Sequence, residues 1–364
     1  MPASPPKKPR HAARHVKAVN IALQGGGSHG AFTWGVLDKL FEDDRVWVEA
    51  ISGTSAGAMN AVVAAQGMYD DGAKGARVAL AKFWKAVSAS GQFSPIQRTP
   101  LARMQGSWSL DDNPMFQWMN LVQNFAAPND FNPLNINPLR IMLNEQVDFA
   151  KVRACQDMEL FLGATNVETG RSRVFERSEI DCDTVLASAC LPELFKAVEM
   201  DGMHYWDGGY TGNPPLYPFF YNSPSDDIII VQINPIFREG APKTAAEIQN
   251  RVNEITFNSA LMHELRSIDF VSRLLESGKL DPAEYRHMNI HMIQSRKRMR
   301  PLDASSKLNT EWAFLKHLFG IGRDAAERWL AESFDYLGVR SSVDIRKMFD
   351  GYARLPTHHP DETT

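Results

Sequence analysis

Apolar residues in the first 70 positions form two short runs and two longer stretches with near-helical spacing. Residues 16–23 and 46–51 are apolar runs of strand length, and a glycine-rich loop follows each run. Apolar side chains then recur at helical spacing to about residue 40 after the first loop and to about residue 66 after the second. The pattern predicts a strand–helix–strand–helix order, with parallel strands joined by right-handed crossovers.

The same periodicities predict further elements along the chain. Strands are predicted at 160–164, 171–175, 204–207, 227–233 and 287–293, and helices at 76–87, 245–275 and 310–337. Residues 94–137 are irregular and interrupted by prolines, which predicts an insertion or cap. An aromatic and methionine patch in this segment suits a protein core, an acyl-chain pocket or an interfacial surface, and it comprises Trp108, Met115, Phe116, Trp118, Met119 and Phe125.

The composition is that of an ordinary globular protein. Of the 364 residues, 44% are apolar and 23% charged, which allows one large or two modest domains with a sizeable core. The formal net charge of −4 argues against global nucleic-acid binding. We predict a flexible basic tail at 1–17, a main α/β domain at 18–236, a mainly helical extension at 237–350 and a flexible tail at 351–364.

Cysteine usage and hydropathy indicate a cellular compartment. The three cysteines, Cys155, Cys182 and Cys190, have no CxxC spacing and cannot all pair, so neither a disulfide framework nor a structural zinc site is indicated. No apolar run approaches the roughly 20 residues that a membrane-spanning helix needs, and no secretory signal is evident. We expect a cytoplasmic protein, with peripheral contact to a membrane left open. The sequence does not indicate an oligomeric state.

The loop after the first predicted strand can present backbone N–H groups to an anion. Its sequence is Gly25-Gly26-Gly27-Ser28-His29-Gly30, and it leads into a predicted helix N-terminus. The same residues fit the dinucleotide fingerprint G-x-G-x-x-G. That alternative requires an acidic residue at the end of the second strand, where this chain instead has Ser52 to Gly57. No Gly-Lys-Ser/Thr follows the loop, which excludes a Walker A motif.

The loop after the second strand is a candidate nucleophile elbow. Gly53-Thr54-Ser55-Ala56-Gly57 is a GxSxG sequence between a predicted strand and a predicted helix, the context that such an elbow requires. Flanking glycines permit the sharp turn that projects the Ser55 hydroxyl at the end of the sheet. An ordinary serine in a glycine-rich turn is the alternative.

A third motif follows a short predicted strand. Asp207-Gly208-Gly209 comes directly after Trp206 and just before Asn213-Pro214-Pro215. Taken alone, this sequence is equally typical of a hairpin turn. Its interest comes from its combination with the two glycine-rich loops.

Taken in order, these three motifs resemble the patatin-like phospholipase family, which pairs a GxSxG serine with a DG[GA] aspartate. The segments 163–170 and 187–195 also resemble connecting segments of that family, and the match covers about residues 19–235. The resemblance implies that residues 18–236 are a catalytic domain with a three-layer α/β/α fold and a mainly parallel central sheet. The helical C-terminal extension is predicted by periodicity alone, because the last third of the chain carries no motif of the family. It further implies a Ser-Asp dyad without a histidine.

The resemblance assigns roles to individual residues of this chain. Ser55 is the expected nucleophile and Asp207 the expected base, and the oxyanion is expected at the N–H groups of Gly25, Gly26, Gly27 and Ala56. Supporting positions are His29, Gly30, Gly53, Gly57, Gly208 and Gly209. The expected reaction is hydrolysis of a phospholipid or related lipid ester through an acyl-enzyme, with no metal or organic cofactor implied.

Several alternatives stay open at this point. An acyltransferase would use the same nucleophile, and a catalytically inactive relative would only bind lipid. His204 precedes Asp207 closely enough to leave a Ser-His-Asp triad open. His287 and His291 would share one strand face and could be two metal ligands, although no third ligand is visible. The basic run at 296–300 suits lipid phosphates or a solvated loop.

One residue departs from the family pattern. The glycine-rich loop usually carries Arg or Lys where this chain has His29. Because a histidine titrates near neutral pH and a guanidinium does not, the departure suggests that loop anchoring depends on pH.

Overall fold

The structure is a computed structural model that describes residues 16–92, 94–123 and 137–349. Its described part contains an eight-stranded sheet, within which β1, β2, β3, β7 and β8 are parallel where they pair. The strands are β1 Lys17–Leu23, β2 Val46–Gly53, β3 Glu159–Asn166, β4 Ser172–Glu176, β5 Val198–Met200, β6 Met203–Asp207, β7 Asp227–Val231 and β8 Asn289–Ile293. The order across the sheet is β5-β6-β3-β2-β1-β7-β8, and β4 pairs antiparallel with β3.

Helices connect and cover these strands. They are α1 Gly30–Glu42, α2 Ala56–Gly91, α3 Pro100–Met104, α4 Pro114–Gln123, α5 Pro138–Gln146, α6 Phe149–Ala154, α7 Cys182–Ser188, α8 Tyr217–Asn222, α9 Ala245–Glu276, α10 Arg296–Met299, α11 Trp312–Ser333 and α12 Ile345–Phe349. Short 3-10 helices occur at Gly27–His29, Arg177–Glu179, Gly208–Tyr210, Ser305–Leu308 and Phe334–Tyr336. The two helices predicted at 56–66 and 76–87 are one element, α2, which bends at Asp71 and Gly72.

Both faces of the sheet are buried, as expected for parallel strands covered by helices. In β7, Ile229 and Val231 belong to the larger core with α1, α2 and α11, whereas Ile228 and Ile230 face a second core with α8 and α9. This alternation places helices on both sides of one sheet. The predicted three-layer α/β/α class is therefore confirmed.

Residues beyond 237 contribute to the same sheet and core. β8 pairs in parallel with β7 along its whole length. Phe314, Leu318 and Ile321 of α11 are fully buried in the larger core. The predicted cap segment contains α3 and α4, whereas residues 93 and 124–136, with Phe125, lie outside the described residues, as do most of the two predicted tails. Among the described helices, none has the length and apolarity that crossing a bilayer requires.

Candidate active site

The glycine-rich loop leaves the end of β1 and turns into the 3-10 helix Gly27–His29 and then α1. The Gly25 N–H donates to Asn213 Oδ1 at 2.7 Å. A Cβ built on Gly25 would lie 2.8 Å from Ser55 Cβ, so the absence of a side chain lets this loop lie against the serine. Gly30 likewise allows the start of α1 to approach Ala56 at the start of α2.

Ser55 occupies a sharp turn between β2 and α2. Its φ of 56° and ψ of −121° lie in a region that non-glycine residues rarely adopt, which is typical of strain held at functional sites. Gly57 permits the turn, because a Cβ there would overlap the carbonyl oxygen of Leu23. A Cβ on Gly53 would approach the Gly57 carbonyl carbon to 2.6 Å. The Ser55 N–H donates to Ser188 Oγ at 3.0 Å, which holds the turn from α7.

Asp207 is placed beside the serine by strand pairing. β4 pairs with one edge of β3. The opposite edge of β3 pairs first with β2 and, further along the strand, with β6. On that edge Gly53 of β2 pairs with Leu162. Two residues further along β3, Ala164 pairs with Asp207 of β6. The end of β2, which leads into Ser55, therefore meets the end of β6 at Asp207.

The Asp207 carboxylate is fully buried. Burial raises its pKa to about 7, while a hydrogen bond from the Gly209 N–H, the Ser55 hydroxyl and the charge of Lys307 all act to lower it. Gly209 N donates to Oδ1 at 2.7 Å, but Oδ2 has no hydrogen-bond partner within 3.5 Å. Oδ2 is thus buried without a hydrogen bond. Gly208 is needed at the turn because a Cβ would overlap the Gly163 carbonyl oxygen.

The predicted oxyanion donors are in two different situations. The Gly25 N–H is already engaged by Asn213, so the expectation that it receives the oxyanion is corrected. Within the described part of the chain, the N–H groups of Gly26, Gly27 and Ala56 make no hydrogen bond. These three donors are available at the ends of β1 and β2.

His29 is buried under the C-terminal part of the chain. Its Nε2 lies 2.8 Å from Ser306 Oγ. Burial lowers the pKa of His29 well below its ordinary value, and the charges of Lys307 and Arg238 lower it further. The ring is therefore neutral at pH 7. The expectation that His29 titrates near neutral pH is wrong, because His29 is buried near cations and no local pattern in the chain indicates that burial.

A buried polar network that the motifs did not reveal holds the glycine-rich loop. Asn234 Nδ2 donates to the Gly25 carbonyl at 2.7 Å, and Asn234 Oδ1 accepts from Lys307 Nζ at 2.9 Å. Gln24 Oε1 accepts from the N–H groups of Ile233 and Asn234, both at 3.0 Å. The sequence pointed to Asn213 only through its position shortly after Asp207-Gly208-Gly209. No motif includes Gln24, Asn234 or Lys307. They lie in three distant segments of the chain, and only tertiary packing brings them together.

The described residues form neither a Ser-His-Asp triad with His204 nor a metal site with His287 and His291. His204 lies at the surface with Nδ1 2.6 Å from Glu168 Oε1, and the groups that act on the Asp207 pKa, which are Gly209, Ser55, Lys307 and Glu193, include no histidine. His291 is buried with Nε2 3.0 Å from Asp227 Oδ1, whereas His287 precedes β8 and is exposed near Glu276. Across the described ranges, no group of three or more His, Cys, Asp or Glu residues could hold a metal ion.

The aromatic patch of the predicted cap divides into buried and exposed members. Trp108 packs against Phe314 with ring centroids 5.0 Å apart, and the Arg98 guanidinium lies 4.1 Å from the Trp108 ring centroid. Arg98 also forms an ion pair with Glu311 at 2.6 Å, which ties this segment to the start of α11. Trp118 remains 58% exposed. Trp108 therefore serves packing, and Trp118 lies at the surface.

Comparison with known proteins gives one family match and distant structural similarities. The family model described as Patatin-like phospholipase matches residues 21–220. VipD from Legionella pneumophila is 15% identical, with 85% of this chain and 67% of that chain covered and a TM-score of 0.37. The type III effector protein ExoU is 17% identical, with coverages of 86% and 52% and a TM-score of 0.33. This chain thus spans about half of the ExoU chain. A comparison with curated proteins found no match.

Proposed function

Since the chain belongs to the patatin-like phospholipase family, we propose that it hydrolyses carboxylic esters of phospholipids or related lipids through a Ser55-Asp207 dyad. The observation that carries this proposal is the fully buried Asp207 carboxyl, which interacts with the Ser55 side chain and whose Oδ2 atom has no hydrogen-bond partner within 3.5 Å. A buried carboxylate oxygen without a partner is costly, and such groups are typical of catalytic sites.

The proposed first step forms an acyl-enzyme. Ser55 Oγ attacks the ester carbonyl carbon while Asp207 accepts the hydroxyl proton, and the N–H groups of Gly26, Gly27 and Ala56 receive the oxyanion. When the tetrahedral intermediate collapses, the bond to the leaving alkoxide breaks. Asp207 returns the proton to that oxygen, so the alcohol leaves in neutral form.

The second step repeats this chemistry with water. Asp207 takes a proton from a water molecule that attacks the acyl carbonyl, and the proton then passes to Ser55 Oγ as the fatty acid leaves. A pKa of Asp207 near 7 suits both roles, because a group with this pKa gives and takes protons readily at neutral pH. Every proton transfer in this cycle uses the same carboxyl group.

Covalent labelling with a lipid-like fluorophosphonate tests the dyad. We expect one adduct per chain by intact-mass analysis, none on the Ser55→Ala chain and at least about a hundredfold slower labelling of the Asp207→Asn chain. Ser28→Ala is the matched control, because Ser28 lies in the neighbouring glycine-rich loop and is also buried. An adduct that persists in Ser55→Ala, or no adduct on the folded wild-type chain, would contradict the proposal.

A further inference from the structure

Lys307 contacts the glycine-rich loop through both its side chain and its main chain. Its Nζ donates to Asn234 Oδ1 at 2.9 Å, and Asn234 Nδ2 donates to the Gly25 carbonyl at 2.7 Å. A Cβ on Gly27 would lie 2.4 Å from the Lys307 carbonyl oxygen, so the main chain of Lys307 lies directly against the loop. Lys307 is therefore a neighbour of Gly27, one of the proposed oxyanion donors.

Lys307 is also close to the turn that carries Asp207. Its Nζ lies 5.6 Å from the centroid of the Phe257 ring. Phe257 packs on that turn, because a Cβ on Gly209 would lie 2.2 Å from Phe257 Cε1. Burial raises the pKa of Asp207, and the positive charge of Lys307 is among the influences that lower it. The ammonium group thus lies within electrostatic reach of the proposed base.

The charge of Lys307 is not neutralised by an ion pair with any of the described residues. Glu254 and Asp207 are the carboxylates whose charges act on its pKa, but Glu254 is already paired with Arg238 at 2.6 Å. An ammonium group has three N–H donors, and Asn234 Oδ1 is its one hydrogen-bond acceptor among the described residues. The other donors of this half-buried side chain are available to a ligand.

An anionic ligand would stabilise the ammonium form of Lys307. Burial lowers the pKa of Lys307, whereas the charges of Glu254 and Asp207 raise it and that of Arg238 lowers it. A cation that is withdrawn from water without a counter-charge is costly, and lysine commonly binds phosphate groups as a point charge. Lys307 would also offset the repulsion between such a group and the Asp207 carboxylate.

We propose that Lys307 Nζ binds the phosphate group of a glycerophospholipid substrate while Ser55 attacks one of its esters, a role that rests on the proposed function of the dyad. The phosphate and the esters of this lipid are joined to the same glycerol. A cation beside the dyad therefore contacts the phosphate of a molecule whose ester lies at Ser55. A neutral glyceride has no such group, so Lys307 gives a preference for phospholipids over glycerides.

The test uses the full chain and two soluble lipids with the same short acyl chains, a phosphatidylcholine and a diacylglycerol. The readout is the ratio of their kcat/KM values. We expect Lys307→Gln to lower this ratio about tenfold, the effect of losing a hydrogen bond to a charged group. Both lipids use Ser55 and Asp207, so a general weakening of the loop or of the base cancels in the ratio. Lys307→Arg keeps a cation that binds phosphate and should retain most of the preference.

Lys316→Gln is the matched control. Lys316 of α11 also lies over an aromatic ring, with Nζ 4.2 Å from the Phe319 ring centroid, and its side chain is exposed. We expect its ratio to equal that of the wild-type chain. An unchanged ratio in Lys307→Gln, or an equal fall in Lys316→Gln, overturns the proposed role of Lys307.

The wild-type chain gives a second measurement that does not depend on the folding of a variant. We expect its kcat/KM to be at least about tenfold higher for the phosphatidylcholine than for the diacylglycerol. Equal values for the two lipids overturn the role of Lys307 and leave the ester hydrolysis intact. Hydrolysis of neither lipid by the folded wild-type chain contradicts the proposed function itself, and the role of Lys307 with it.

Discussion

At the scale of single residues, Asp207 combines full burial with a negative charge that the proposed reaction requires. Its pKa of about 7 is far above the ordinary value for Asp, because burial outweighs the hydrogen bond from Gly209 and the charge of Lys307. The carboxyl group therefore changes its protonation state within the physiological range. Activity and stability should both respond to this one titration.

The first prediction concerns the pH dependence of hydrolysis. A base must be deprotonated to act, so kcat/KM should fall about tenfold per pH unit below about pH 7 and level off above it. A pH-rate profile on a soluble ester measures this. Glu264→Gln is the control, because burial also raises the pKa of Glu264 to about 7. Loss of the acidic limb in that variant would assign the titration to Glu264 instead.

The second prediction is that Asp207→Asn abolishes activity and stabilises the fold at pH 8. The folded pKa of Asp207 is above its unfolded value, so the folded state holds the proton more tightly and wild-type stability falls as pH rises from about 4 to about 7. The neutral amide avoids this loss, which amounts to at most roughly 4 kcal/mol. Urea unfolding at pH 8 and pH 5 measures it. An advantage that does not shrink at pH 5 would contradict the pKa.

At the scale of elements, α1 and α11 approach so closely that side chains would separate them. A Cβ on Gly35 would overlap the Phe319 carbonyl oxygen, and one on Gly322 would overlap that of Phe32. Arg323 of α11 adds an ion pair with Glu42 of α1 at 2.7 Å and another with Asp38. The contact fixes α11, and through it the segment that buries His29, on the catalytic core.

The third prediction compares two glycines of α11. Gly322→Ala should lower the free energy of unfolding by about 2 kcal/mol or more, because the helices must move apart. Gly320→Ala meets no atom within 4 Å and should raise it by roughly 0.5–1 kcal/mol, as expected for alanine in a helix interior. Chemical denaturation measures both. Similar effects of the two substitutions would mean that the helix contact is not close.

At the scale of the whole molecule, the C-terminal third packs against the part of the chain that carries Ser55 and Asp207. Lys307 contacts Gly27 through its main chain, since a Cβ on that glycine would overlap the Lys307 carbonyl oxygen. β8 and α11 belong to the sheet and core that include β1 and α1. The sequence predicted a domain boundary at 236/237, and an experiment on a shortened chain tests whether residues 18–236 fold independently.

The fourth prediction is that a chain ending at residue 236 does not unfold cooperatively and is not labelled by fluorophosphonate. Its α1 would lose the cover that Trp312 and Phe319 give to Trp34, which is 2% exposed in the complete structure. Near-ultraviolet circular dichroism and urea unfolding measure the loss of packing. The full chain is the control. Cooperative unfolding and labelling of the shortened chain would show that residues 18–236 form an independent domain.

The sequence by itself predicted seven of the eight described strands and the four longest helices, and it pointed to Ser55 and Asp207 as candidate residues. Hydrophobic periodicity is local, so it located β1, α1, β2 and α9 closely. The glycine-rich loops were recognisable because close backbone approach at Gly53 and Gly57 excludes every side chain. A steric constraint of this kind fixes the residue type at one position, so it can be read directly from the sequence.

Tertiary structure alone decided how those residues interact. The engagement of Gly25 by Asn213, the burial of His29 and the pKa of Asp207 depend on segments up to 277 residues apart in sequence. The unpaired Oδ2 atom of Asp207 likewise depends on which strands become neighbours. Burial and charge at a point are sums over all surrounding segments, and no local pattern in the chain contains that sum.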